Sequence, residues 1–420
     1  MMKKMIIFKL LILVCIVLSN GSCKKSKVLP EGNKIPEVII PEIPENQEQI
    51  PTMAFVGVIE SQTTITRYQE LRNSGITHSY SVVSSAESMQ KALDVAYKTG
   101  VKMFVSCPEL YTDPEGIVKR FMKHPALAGY YLGDEPSRNK FSKIGELTRR
   151  IKAIDSEHIL YVNVFPNYAS EVSLGVNTYL EYIQTFIREV PVNLLSFDHY
   201  PVIGDTNLSI RSEWYQNLET FSDESRKANK PFWAFALTVA HDVYPIPALA
   251  ALRLQVYSNL AYGAQGIQYF TYWTIHDPGG IDFNNAPITI DGRRTNVYDL
   301  MKIVNEEIKN LSKVFLGAKL VSVAHTGTNI PIGTKRLTEL PKSIKNLNSE
   351  GMGAVVAVLD KGIDSYLVVV NRDLTGTLKL TIGCNPGVER ILKDGSSVAA
   401  KELETLTVDP GDVTIYKLVK

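Results

Sequence analysis

Carboxylates flanked by aromatic and amide side chains recur along the first two thirds of this chain, and they are the residues best suited to do chemistry. The sharpest group is Gly129-Tyr130-Tyr131-Leu132-Gly133-Asp134-Glu135-Pro136, which sets two adjacent acids at the end of an apolar run. A second is Asp198-His199-Tyr200-Pro201, directly behind another apolar run. Glu60, Asn163, His241, Tyr272 and Trp273 lie at or behind the ends of further runs. Two carboxyl groups across a cleft meet the requirement for breaking a glycosidic bond: one protonates the leaving oxygen, and the other attacks the sugar or activates a water. Aromatic faces stack on the C–H faces of sugar rings. On this reading Glu135 and Asp198 are the catalytic candidates, with Tyr200 orienting Asp198. Asp134, Tyr200, His199, Trp273, Tyr272, Asn163, Glu60 and His241 are the candidates for holding a carbohydrate. Glu60 and Asp277 are lesser candidates for the second carboxylate. His199, His241 and His276 match no tight zinc-ligand spacing. The turn from Asp277 to Asp282 offers only two carboxylates to a calcium ion. Gly-rich phosphate loops are absent. Neither a metal nor a cofactor is expected.

The elements that must position these residues follow from periodicity. Short β-type runs at 54–59, 77–83, 101–105, 128–131, 159–164, 194–197, 232–237 and 266–272 alternate with helical patterns. The clearest helical segments are 86–99, 114–123, 142–154, 178–190, 208–228, 249–263 and 297–315. Ser85 and Asp113 are placed as N-caps, and Gly75 and Gly100 as helix stops. Strands alternating with helices imply parallel βαβ units. Eight units over 52–316 predict a (β/α)8 barrel, with a doubly wound sheet as the alternative, and a barrel keeps its site at the C-terminal strand ends. Trp233, mid-strand, and Trp214, in a helical pattern, read as packing. From 317 to 420 the pattern changes to short β runs between Gly, Pro, Asp and Asn turns, which predicts a small all-β sandwich. Within it, 327–350 reads as a long polar loop.

Ahead of the barrel, Lys3, Lys4 and Lys9 precede an apolar run at 10–18 and the small-residue stretch Ser19-Asn20-Gly21-Ser22-Cys23. This is the layout of an export signal, too short to span a bilayer. Residues 23–51 carry Pro30, Pro36, Pro41, Pro44 and Pro51 among polar residues and read as an extended tether. The formal charge is +1, from 45 Lys and Arg against 44 Asp and Glu, and becomes slightly negative once a signal at 1–22 is removed. That balance gives no electrostatic case for a nucleic-acid partner. Four cysteines are too few for a disulfide scaffold; Cys107 and Cys384 read as small buried hydrophobes.

Two resemblances add to this. The Ser-Cys-Lys-Lys stretch around Cys23 resembles the signals of Bacteroides-group lipoproteins, although Leu18 lies further from the Cys than the usual pattern has it. It implies lipidation at Cys23 and a membrane anchor at the cell envelope. The stretch 129–136 resembles the strand-4 Asn-Glu-Pro signature of clan A glycoside hydrolases, with Asp in place of Asn. The resemblance implies that Glu135 is the general acid/base and that Asp134 meets a sugar 2-hydroxyl. Asp198-His199-Tyr200 is similar to the His-x-Tyr set of strand 6 in that clan, and Trp273 to the Trp that floors its sugar subsite. The region from Tyr269 through Trp273 to Asn305-Glu306-Glu307 is similar to the end of family 42 β-galactosidases. One departure matters: the clan's nucleophile is a Glu ending strand 7, and here 231–238 holds no carboxylate. Three readings stand: a glycosidase whose second carboxylate is Asp198, as another clan, that of α-galactosidases, uses strands 4 and 6; a barrel that binds glycans without cleaving them; or other chemistry, such as a lyase or a metal-assisted hydrolase.

Overall fold

The computed structural model describes residues 48–419. The signal stretch and Cys23 lie outside the described residues. Eight parallel strands close into a barrel: β1 Thr52–Phe55, β2 His78–Tyr80, β3 Lys102–Val105, β4 Leu127–Asp134, β5 Ile159–Val164, β6 Leu195–Phe197, β7 Phe232–Leu237 and β8 Gly266–Phe270. Each is followed by a helix: α1 Ile65–Asn73, α2 Ala86–Thr99, α3 Pro114–Phe121, α4 Phe141–Lys152, α5 Tyr179–Glu189, α6 Trp214–Lys227, α7 Leu249–Ala261 and α8 Asn296–Asn310. The caps work as their residue types dictate. The Ser85 side chain accepts from the Ser88 N–H, and Asp113 from the Gly116 N–H with Pro114 at the first helical position. Gly100 ends α2 at φ +70°, a conformation that suits glycine.

Period-two alternation sorts the strand residues. On β7, Trp233, Phe235 and Leu237 fill the barrel interior, whereas Phe232, Ala234 and Ala236 face the helices. On β5, Tyr161 points inward while Leu160, Val162 and Val164 point out. A Cβ on Gly129 would run into the Ile159 carbonyl, so glycine lets β4 approach β5. Trp214 is buried in the outer layer, as its helical setting predicts. No helix of the described residues is long and apolar enough to cross a membrane.

The C-terminal region forms two antiparallel sheets. Its strands are β9 Lys319–His325, β10 Ile344–Glu350, β11 Ala354–Lys361, β12 Asp364–Asn371, β13 Leu378–Cys384, β14 Glu389–Ile391, β15 Ser397–Ala399, β16 Leu403–Val408 and β17 Val413–Leu418. One sheet runs β9-β11-β12-β17-β14-β15 and the other β10-β13-β16. The long loop expected at 327–350 is therefore corrected at its end, where β10 adds an edge strand. Its residues Ile344-Lys345-Asn346-Leu347-Asn348-Ser349-Glu350 are largely polar because most of them stay at least partly exposed. Ala354, Val356, Leu367 and Val369 pack between the sheets; Val355, Ala357, Val368 and Val370 turn the opposite face onto the barrel's helical layer. The start of the body also shifts: Ile50, placed by the sequence in the tether, is buried and donates its N–H to Ser312. Cys107 and Cys384 are buried free thiols.

Candidate active site

The register of neighbouring strands assembles the site. An irregularity between Tyr131 and Gly133 shifts the β4–β5 pairing so that Asp134 lies opposite Asn163, and Asn163 in turn lies opposite Ser196 on β6. Such bulges beside functional sites re-aim side chains. A hydrogen-bond relay fixes the Asn163 amide. Gln268 donates to Ser196 Oγ at 2.8 Å, and Ser196 donates to Asn163 Oδ1 at 2.9 Å. Tyr161 holds Gln268 from the other side, donating to its Oε1. With its oxygen so engaged, Asn163 turns its NH2 outward and donates to Asp134 at 3.1 Å and Asp198 at 2.7 Å. One amide thus ties together the carboxylates of strands 4 and 6.

Glu135 completes the group. Its φ is +40°, in the left-handed region that non-glycine residues rarely occupy, and its N–H donates to the Asn163 carbonyl at 2.8 Å. Backbone strain of this kind costs on the order of 1–3 kcal/mol and is concentrated at functional sites.

The electrostatics are those of unpaired acids. Burial first, then the charges of Asp198 and Asp134, hold the Glu135 carboxyl well above the usual carboxylate range. Burial and the Asp134 charge raise Asp198 to about 7, against hydrogen bonds from Asn163 and Tyr200. Asp134 is exposed at the end of β4, yet desolvation by the surrounding protein raises its pKa to about 6 while the Asn163 hydrogen bond pulls the other way. Among the described residues no Lys or Arg forms an ion pair with any of the three.

The remaining sequence candidates divide. Tyr200 joins the site: it is near enough to Asp198 to pull its pKa down and stacks on Phe270, with ring centroids 5.6 Å apart. His199 is buried, its Nδ1 on Asn217 Oδ1 at 3.1 Å, and desolvation lowers its pKa to about 3, so it is neutral. It packs edge-on against Tyr168. His241 lies in the loop after β7 against Phe283, Tyr244 and Phe270. Glu60 is not with the acids. β1 ends at Phe55, so Glu60 falls on a short turn where it accepts from the Ser84 N–H and hydroxyl at 2.8 and 2.7 Å.

Trp273 and Tyr272 are corrected. β8 ends at Phe270, and the next three residues leave the barrel axis: Trp273 is 1% exposed and Tyr272 0%, so neither presents a ring face to a ligand. Trp273 packs under Arg67 instead, and the aromatic that strand 8 gives to the mouth is Phe270. Among the described residues no group of three or more His, Cys, Asp and Glu is arranged to hold a metal ion.

Sequence reasoning missed one wall of the cleft. Tyr168, behind β5, and Tyr244, behind β7, flank the guanidinium of Arg211, which lies 4.8 and 5.5 Å from their ring centroids. The available signal was an aromatic shortly after each strand end. The helical pattern drawn from 208 hid Arg211, because α6 starts only at Trp214.

No protein-family model matches the sequence, and no curated protein matches it. Solved structures do. The β-galactosidase from Bacillus circulans sp. alkalophilus aligns over 88% of this chain and 99% of its own, at 10% identity and a TM-score of 0.56. A catalytic mutant of a GH42 β-galactosidase from G. stearothermophilus aligns over 88% and 98%, at 10% identity and a TM-score of 0.60. The match to a β-galactosidase from the psychrophilic Marinomonas ef1 spans 63% of this chain and only 60% of that one, at 12% identity and a TM-score of 0.43. At these identities the likeness is one of fold: the chain shares the eight-stranded barrel of the first two.

Proposed function

We propose that the chain is a glycosidase, with Glu135 as proton donor and Asp198 as the second carboxylate. The observation that carries this reading is the Asn163 amide holding the strand-4 and strand-6 carboxylates together beside Glu135, whose carboxyl is pushed above the usual range by burial and by those two acids. At neutral pH Glu135 carries the proton that the leaving glycosidic oxygen takes as its bond to the anomeric carbon breaks. Asp198, ionised above its pKa, supplies the electron pair to the anomeric carbon, directly or through a water it deprotonates. Asp134 receives a sugar hydroxyl, and Tyr200 with Phe270 offers aromatic surface. Two solved structures of similar barrel shape are β-galactosidases by their names, which supports a carbohydrate substrate. The test is release of reducing sugar from an oligosaccharide panel by the wild type and by Glu135→Gln. Loss of turnover with binding retained supports the assignment, and unchanged turnover overturns it.

A second reading has its own observation. β7 ends in Leu237 and is followed by Thr238, which is fully buried and donates to the Thr271 carbonyl, so strand 7 supplies no charged group. A barrel that binds glycan without cleaving it predicts saturable binding and no released sugar from the wild type.

We also infer, from the sequence alone, that the protein is exported and anchored by lipid on Cys23, with 23–51 as tether. Incorporation of labelled palmitate that Cys23→Ala abolishes checks this; equal labelling of the variant contradicts it.

A further inference from the structure

Arg211 is the anomaly of the cleft. Each of the other arginines among the described residues meets either a carboxylate or a backbone carbonyl. Arg253 pairs with Glu307 and Asp412, Arg150 with Glu115, and Arg372 donates to three carbonyls. The Arg211 side chain meets neither: it makes one hydrogen bond, from Nη2 to the Tyr244 hydroxyl at 3.2 Å, and its buried Nε has no partner. A guanidinium presents five donors in a planar fork suited to carboxylate and sulfate-like oxyanions. Here two tyrosine rings hold the plane while most of its donors stay unused.

The neighbours are unsatisfied as well. His199, packed on Tyr168, has a buried Nε2 without a partner, and His241, packed on Tyr244, a buried Nδ1 without one. Buried polar atoms left unpaired are uncommon in folded proteins, and their grouping calls for an explanation such as an unseen ligand. Arg211 is set on the same side of the barrel as the acids: Tyr244 packs edge-on against Tyr200, which is near enough to Asp198 to pull its pKa down, and Tyr168 feels the charges of Asp198 and Glu135. Yet it forms no ion pair with them. The cleft therefore holds an acidic zone and, across the tyrosines, a cation with no anion.

We propose that the substrate is an acidic glycan, whose carboxylate or sulfate ester is received by Arg211 on a ring beside the one at the carboxylates. The inference rests on the glycosidase reading only for the placement of that ring; binding alone tests it. A neutral oligosaccharide would leave the guanidinium desolvated and unpaired, at a cost in affinity.

The experiment is calorimetric titration of Glu135→Gln, which keeps oligosaccharides intact, with pairs differing in one group. The pairs are oligogalactose and oligogalacturonate, oligoglucose and oligoglucuronate, and galactan fragments with and without 6-O-sulfate. The expected result is at least about tenfold tighter binding of one acidic member than of its neutral parent, weakening as salt rises. Adding Arg211→Met should erase that difference, and Arg211→Lys should lose most of it, with melting temperatures of both compared to the parent to confirm folding. Which pair responds separates uronate from sulfate. Equal affinities in every pair, no binding of any acidic member, or a preference that survives Arg211→Met overturns the proposal. Sugar release by the wild type, followed in parallel, separates the two claims. Acid-selective binding without release leaves Arg211 standing and removes the glycosidase; release insensitive to Arg211 and to substrate charge does the reverse.

Discussion

Two groups of acids in this molecule have similar composition and opposite electrostatics. At the seam between the barrel and the C-terminal sheets, Glu307 of α8 and Asp412, just before β17, are met by Arg253 of α7 and by Lys393. Tyr257 adds a hydrogen bond to Glu307 at 2.7 Å. Burial works to raise the Glu307 pKa, but Arg253, Lys393 and Tyr257 outweigh it and hold it below the usual range. At the barrel mouth, Asp134, Glu135 and Asp198 are grouped around an amide with no ion-pairing cation among the described residues, and all three pKa values rise. The seam has the arrangement that keeps buried charge tolerable. The mouth lacks it, and so keeps protons available near neutral pH, which is the property a general acid needs. The difference teaches that partners, rather than residue types, separate a structural acid from a reactive one.

The comparison can be broken at several points. The largest effect is expected at Glu135: Glu135→Gln should cost about 10²–10⁴-fold in kcat with a near-normal KM. The same change should raise stability at pH 7–8, because a carboxyl whose folded pKa is raised stabilises below its unfolded pKa and loses that contribution as pH rises through the folded value. Thermal melts of both proteins from pH 4 to 8 measure it, with the curves converging on the acid side.

Next comes Glu307→Ala, which leaves Arg253 and Lys393 to share Asp412 alone and should destabilise the fold by about 3 kcal/mol in urea unfolding. Its pH signature is opposite: the depressed pKa of Glu307 means the wild-type contribution is present above the unfolded pKa and disappears on acidification.

Smaller effects sharpen the mouth. Asp134→Asn removes a like charge, so the ascending limb of kcat/KM against pH, governed by Asp198 near 7, should move to lower pH. Asn163→Ala removes a donor to both carboxylates and should move that limb the other way. The smallest effect is expected at Trp273: Trp273→Phe should change KM by less than about twofold while lowering stability by about 1 kcal/mol or more. A large KM effect would restore Trp273 as a sugar platform.

The barrel was legible because its signals are local and repeated. Alternating strands and helices with capped ends leave few other closed arrangements, and strand ends then mark the mouth. Asn163 and Asp198 fall at strand ends because the runs at 159–164 and 194–197 stop where β5 and β6 stop, and β4 runs on past its apolar stretch to end at Asp134, beside Glu135. Glu60 and Trp273 were misplaced because the apolar runs overshoot the paired strands, which stop at Phe55 and Phe270. A displacement of a few residues carries a side chain out of the mouth. Tyr168, Tyr244 and Arg211 escaped because loops bring them together, and no spacing in sequence encodes that meeting. The polar strand at 344–350 escaped because pairing, rather than burial, makes it a strand.

The central claim is that Glu135 is protonated at neutral pH for want of a cation. Infrared difference spectroscopy of wild type against Glu135→Gln tests it directly through the carbonyl stretch of a protonated carboxyl group. The account predicts such a band at pH 7 in the wild type, absent from the variant and lost only on further alkalinisation. Its disappearance already between pH 4 and 5, as for a carboxyl of ordinary pKa, would contradict the account.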